Sequence, residues 1–162
     1  IGQREASAFA INDALGKRNL GDAFTVISQS LEHSKSPDSD CMRLTRMMGR
    51  YFREVLHAKL LLAGLKVSPR ELGAKIKQLG DDAKMQFPHN PLLGIHPFRL
   101  QLLAEAAERY GGPELVDIIS WLAEFDKLNV SSSLPRRLAL ETLTMRIIKG
   151  HQQTIPTAAS RL

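Results

Sequence analysis

Arg43, Arg46, Arg50, Arg53 and His57 recur at steps of three, four, three and four residues, which lines them up on one face of an α-helix. A guanidinium is a fixed fork of donors that grips a carboxylate or a phosphate with two parallel hydrogen bonds. Such a row has three readings. It is a solvated face opposite an apolar stripe, a contact surface for an acidic protein partner, or a track for a phosphate backbone. No stacking aromatic, which single-strand binding uses, lies on the same face of the helix as these arginines. A second basic set closes the chain: in "SSSLPRRLALETLTMRII" and just after it, Arg136, Arg137, Arg146 and Lys149 face only Glu141. The residues expected to meet a partner are Arg46, Arg50 and Arg53 on the first helix, and Arg136, Arg137, Leu140 and Arg146 on the last.

Other chemistry is thin. The five histidines (His33, His57, His89, His96 and His151) contain no i, i+4 pair, and the single cysteine, Cys41, completes neither a zinc site nor a disulfide. "GGPEL" (Gly111–Leu115) lacks the lysine of a phosphate loop, and no strand flanks it. No serine sits in a nucleophile elbow, and Asp81–Asp82 and Glu124–Asp126 read as solvated caps rather than a tuned acid–base pair. Trp121 and Phe125 lie one turn apart within an apolar stripe, where core packing outweighs a stacking platform. No catalysis, no cofactor and no metal are expected.

The elements that must position these residues are helices. The chain is 43% hydrophobic and 24% charged, so it folds rather than staying disordered. Its apolar residues are mostly Leu, Ala, Ile and Met, which favour helix over strand. Breakers divide it into Arg4–Leu15 stopped by Gly16, Leu20–Leu31, Cys41–Ala63 ended by Gly64, a helix from the "SPRE" capping box to Leu79, Pro97–Tyr110, a helix after Pro113, and a last one reaching Ile148. Ser34–Asp40 reads as a loop whose Asp38 or Ser39 caps the long helix, and Asp81–His96 as the least regular segment. The expected core is Phe24, Ile27, Leu44, Met48, Tyr51, Val55, Leu102, Ile118, Leu122, Phe125, Leu140 and Leu143. The fold class is all-α: a compact bundle of about seven helices spanning residues 1–150, with 151–162 as a flexible tail. A net charge of +5 and a pI near 9.6 allow an anionic partner without establishing one. No run of roughly 20 apolar residues spans a membrane, and a cytoplasmic setting is the default. The chain starts at Ile1 without Met, so a piece of a longer protein or a processed chain is expected.

The order of these blocks resembles the C-terminal domain of the delta subunit of bacterial DNA polymerase III, a clamp-loader component. The resembling stretches are "FAINDALGKRNLGDAFTVISQSLE", "LTRMMGRYFREVLHAKLLLAGLKVSPRELGAKI", "IHPFRLQLLAEAAERYGGPELVDIISWLAEFDKLNV" and "LPRRLALETLTMRI", which together run from Phe9 to Lys149. Residues 81–93 are longer than the family's usual connector, and the last dozen residues extend past its usual end. The resemblance implies a collar-like fold that joins delta to the other loader subunits, gamma/tau and delta-prime. The full-length protein would be a subunit of the DNA polymerase III holoenzyme, a nucleotidyltransferase, and would touch the sliding clamp only through an N-terminal AAA+-like module outside this chain. DNA contact is then secondary. The alternative is a helical nucleic-acid-binding domain that uses the arginine face, with an independent small-molecule enzyme a distant third.

Overall fold

The computed structural model describes residues 2–128 and 135–150. The helices are α1 (Gln3–Gly16), α2 (Leu20–Glu32), α3 (Pro37–Leu65), α4 (Pro69–Leu79), α5 (Asp81–Gln86), α6 (Pro97–Glu108), α7 (Gly112–Leu128) and α8 (Arg136–Lys149), with one 3-10 turn at Pro91–Gly94. Seven of them have seven residues or more, and no strand occurs among the described residues. The all-α expectation stands. The added element is α5, within the segment read as irregular. The serine run before α8 and the tail 151–162 lie outside the described residues.

The 29-residue α3 is the mast of the bundle, about 44 Å long at 1.5 Å per residue. It touches α1, α2, α4, α6, α7, α8 and the 3-10 turn. Its buried side (Leu44, Met48, Tyr51, Phe52, Val55, Ala58 and Leu61) follows the helical period, so one face of one helix supplies much of the core. Phe52 packs edge-on against Tyr51 at 5.4 Å between ring centroids and against Tyr110 at 5.3 Å. Of the expected core, Phe24 and Phe125 are half-buried against it, and Leu102 is partly exposed.

Three boundaries differ from the sequence expectation, each for a physical reason. The long helix begins at Pro37, so Ser36 takes the N-cap position and Asp38 and Ser39 lie inside the first turn. Proline there has its φ preset and needs no donor, and Asp38 and Asp40 complement the positive end of the helix. Gly16 is the last residue of α1 rather than its left-handed stop; that conformation falls to Arg18 at φ 54°. Gly64 likewise stays inside α3, and Lys66 turns left-handed at φ 54°. Both glycines make room instead. A Cβ on Gly16 would lie 2.4 Å from the Tyr51 hydroxyl, and one on Gly64 would lie 2.5 Å from the Phe87 ring.

The "SPRE" cap is formed through Glu71, which accepts from the Ser68 amide at 3.0 Å and from the Ser68 hydroxyl at 2.8 Å. These bonds hold the Glu71 carboxyl below its ordinary value, the backbone bond contributing most. Leu122 is 2% exposed at the packing of α7 on α3. Leu122→Ala is expected to destabilise the domain by about 2–5 kcal/mol in denaturant melts. A loss below about 0.5 kcal/mol would place the side chain at the surface.

Candidate assembly interface

The arginine row of α3 is divided by its surroundings. Arg46, Arg50 and Arg53 are exposed, whereas Arg43 and His57 are half-buried at the ends of the row. Arg43 is bound into its own helix, 3.3 Å from Asp40 and 3.4 Å from the Met47 sulfur. Arg46 reaches Asp126 of α7 at 3.4 Å, and with an arginine 64% exposed that pair contributes little to stability. Arg50 and Arg53 make no ion pair among the described residues. Leu60, two turns beyond Arg53 on the same side of α3, is 53% exposed. This face therefore offers unneutralised guanidinium groups beside an apolar side chain.

The basic residues of α8 do not share that role. Arg136 lies over the start of α3, 3.6 Å from Asp38 and 3.8 Å from the sulfur of Met42. Met42 stands one turn before Arg46, so Arg136 extends the α3 row toward its N-terminal end. Arg137 turns toward α2, donating to the Ser28 hydroxyl at 2.8 Å and to Glu141 at 3.0 Å. Arg146 stacks over the Trp121 ring, 3.7 Å from its centroid. Leu140 is 0% exposed, which corrects its expected place on a partner surface: it packs inside the chain's own core. Charge reversal at Arg137 would remove a tie between α2 and α8 and set two acids one turn apart, so that residue also carries stability.

Sequence reading missed the residue that joins four of the helices at their ends. Arg18 follows α1 in a closed turn: its amide donates to Leu15 O at 3.1 Å, and the Asn19 amide donates to Ala14 O at 2.9 Å. From there its guanidinium donates to Arg109 O at the end of α6 (2.9 Å), to Ile148 O at the end of α8 (3.1 Å), and to Glu114 in the first turn of α7. It also lies 4.0 Å over the Tyr110 ring, whose hydroxyl donates to Leu15 O at 2.5 Å. Arg109 returns the contact by donating to Gly16 O at 3.1 Å. Burial pushes the Tyr110 phenol far up despite the nearby guanidinium, so it stays a neutral donor. Gly150, at φ 59°, closes the site, where a Cβ would meet Glu114 at 2.7 Å and Arg18 at 2.9 Å. The signal available in sequence was "GKRNLG", which reads as a plain polar turn.

A second feature is a cleft between α1, α3 and α6. Tyr51, Leu102, Leu103 and Ala106 line its base, and Phe9 and Phe98 stand at its mouth, 61% and 63% exposed. Both phenylalanines fit helical spacing, and spacing alone does not distinguish a stripe against the core from one that borders an opening.

Burial, and after it Asp38, push the Cys41 thiol up, which opposes formation of a nucleophilic or metal-binding thiolate. No group of three His, Cys, Asp or Glu residues among the described residues could hold a metal ion. His96 caps α6, its Nδ1 accepting from the Phe98 amide at 3.2 Å. Among the described residues, no helix is long and apolar enough to cross a membrane.

Left-handed φ is costly for arginine and free for glycine, by about 1–2 kcal/mol. Arg18→Gly therefore sets relief of the backbone against loss of the junction. The junction is the larger effect: Arg18 and Glu114 are only 24% and 13% exposed, and two helix-end carbonyls lose their donor. The melting temperature is expected to fall, with a net loss of about 1–3 kcal/mol. A rise would show that these contacts do not hold the helix ends.

No curated protein and no solved structure matches the chain. A family model described as "DNA polymerase III delta subunit, C-terminal domain" matches residues 5–147. With that match running from the first turn of α1 into the last turn of α8, the chain belongs to the family formed by the C-terminal domains of DNA polymerase III delta subunits.

Proposed function

We propose that this domain, residues 1–150, is a collar element of the replicative clamp loader. In this reading it joins the delta subunit to its ring neighbours, gamma/tau and delta-prime, so that the assembly can open and load the sliding clamp. The observation that carries the reading is the family match over nearly the whole chain. The domain itself catalyses nothing; it contributes to replication by holding subunits in place, with the clamp met only through the rest of the subunit. The setting is cytoplasmic.

The geometry supports the α3 face as the contact. Arg50 and Arg53 are exposed and unpaired among the described residues, Arg46 is weakly paired, and Arg136 extends the row. Guanidinium forks can engage acidic groups on a neighbour while an adjacent leucine such as Leu60 helps exclude water. Arg137 and Arg146 serve chiefly inside the domain, through Ser28, Glu141 and Trp121. A second reading, contact with DNA along the same face, rests on the basic row and the net charge of +5.

Because Arg50 and Arg53 are not tied into the fold, charge reversal there separates assembly from folding. Arg50→Glu combined with Arg53→Glu is expected to weaken association with gamma/tau and delta-prime by about tenfold or more in sedimentation, while helicity is kept and the melting temperature falls only by the small cost of a carboxylate at position 50 one turn before Glu54. Normal assembly of this variant would leave the face merely solvated. If assembly is normal and the variant instead loses DNA retention that falls steeply with added salt, the nucleic-acid reading replaces the assembly one.

A further inference from the structure

The open face of α3 has a repeat that narrows what can cover it. Arg46, Arg50, Arg53, His57 and Leu60 follow one another at steps of four, three, four and three residues, so Arg46, Arg53 and Leu60 are spaced by whole heptads. A seven-residue repeat drifts by only about 20° per heptad around a straight helix, so this seam runs nearly parallel to the axis of α3. Both of its ends are closed by the chain itself. At the start, Arg43 is bound to Asp40, and Arg136 lies 3.8 Å from the Met42 sulfur. At the other end the next position of the repeat is Gly64, where the Phe87 ring fills the space that a Cβ would take. The stretch left open between them is about 21 Å long, two heptads at 1.5 Å per residue.

The chemistry along the seam changes from charged to apolar. Arg50 and Arg53 have no ion pair among the described residues, Arg46 shares only the Asp126 contact, and Leu60 is an exposed apolar side chain. A phosphate backbone carries the same charge at every step, so it matches the arginines but not Leu60, and Asp126 stands beside its path. An extended peptide gains affinity by pairing its backbone with a sheet edge, and no strand occurs among the described residues. A helix satisfies its own backbone bonds and presents only side chains, at the same repeat as the seam. Lying along α3, it needs acidic groups for the arginines and an apolar group for Leu60.

We infer that this face of α3 receives, lengthwise, one α-helix of a neighbouring subunit, with carboxylates at steps of three and four residues opposite Arg46, Arg50 and Arg53 and an apolar side chain opposite Leu60. The guanidinium forks hold the carboxylates, and the apolar contact excludes water at one end only. That asymmetry fixes the direction and register of the incoming helix, because a reversed helix would set a carboxylate on Leu60. The inference rests on the assembly reading and specifies the partner of that same face: a helix, acidic along most of the seam, in contact over about two heptads.

The test places a benzophenone photocrosslinker at Arg46, Arg53 or Leu60 in turn, in the assembled loader, and maps the trapped residues by mass spectrometry. All three positions are expected to trap the same neighbouring subunit, on one helix, at sites about seven residues apart and in linear order. Leu60→Ser, at an exposed position, should keep the helicity and weaken assembly by about fivefold, while retention on DNA stays the same. Trapped sites scattered over separate elements, no trapping from Leu60, capture of DNA or of a second copy of this chain, or full assembly of Leu60→Ser would overturn the inference. The two readings fail differently. If Arg50→Glu with Arg53→Glu abolishes assembly but the trapped sites fall on no single helix, the helical partner is wrong and the assembly reading stands. If that double variant assembles normally, the assembly reading of this face falls and the inference with it.

Discussion

The bundle depends on how its helix ends are held, and Arg18 ties four of them together. Every helix leaves donors unmatched at its start and acceptors unmatched at its end. Here the ends of α1, α6 and α8 and the start of α7 converge, which gathers those unmatched groups into one place. A guanidinium suits that problem because its donors diverge in a plane, whereas an ammonium is a point charge. Arg18 meets two backbone carbonyls and one carboxylate while its flat face covers Tyr110. The left-handed backbone at Arg18 is the strain accepted to aim the side chain there.

From that junction the frame continues inward. Tyr110 packs on Phe52, and Phe52 on Tyr51 beside Gly16, so the aromatic cluster at the middle of α3 connects to the helix ends. The frame leaves α3 with one face in the core and the opposite face open. The arginines of that open face stand on the most extensively packed helix of the bundle, so their spacing is fixed before any partner arrives. Under the proposed assembly role this matters, because binding then costs little ordering of the contact surface.

Much of this was legible in the sequence, and the failures have physical causes. Apolar periodicity located the long helix and its buried side, since burying one stripe of a helix requires that period. It could not tell Phe9 and Phe98, which border a cleft, from Leu44 and Val55, which fill the core. Glycine was ambiguous for a related reason. Gly16 and Gly64 follow helical patterns as stops do, but they serve close approach to Tyr51 and Phe87, and the left-handed turns fall to Arg18 and Lys66. The long helix starts early because Pro37 reads as a breaker in a serine-rich stretch although it is also a favoured first residue. Among the arginines, charge and spacing were plain, but partners such as Ser28, Trp121 and Arg109 O come from distant parts of the chain. Only the fold separates a free arginine from a structural one.

The central claim is that one side chain couples the ends of separate helices, and amide hydrogen exchange tests it most directly. Arg18→Ala should raise exchange together in the last turns of α1, α6 and α8, where the Arg18 and Tyr110 contacts lie, and leave α4, which has no part in the junction, at the rate of the unaltered chain. Faster exchange confined to residues 16–20, or a uniform increase through α4 as well, would contradict it.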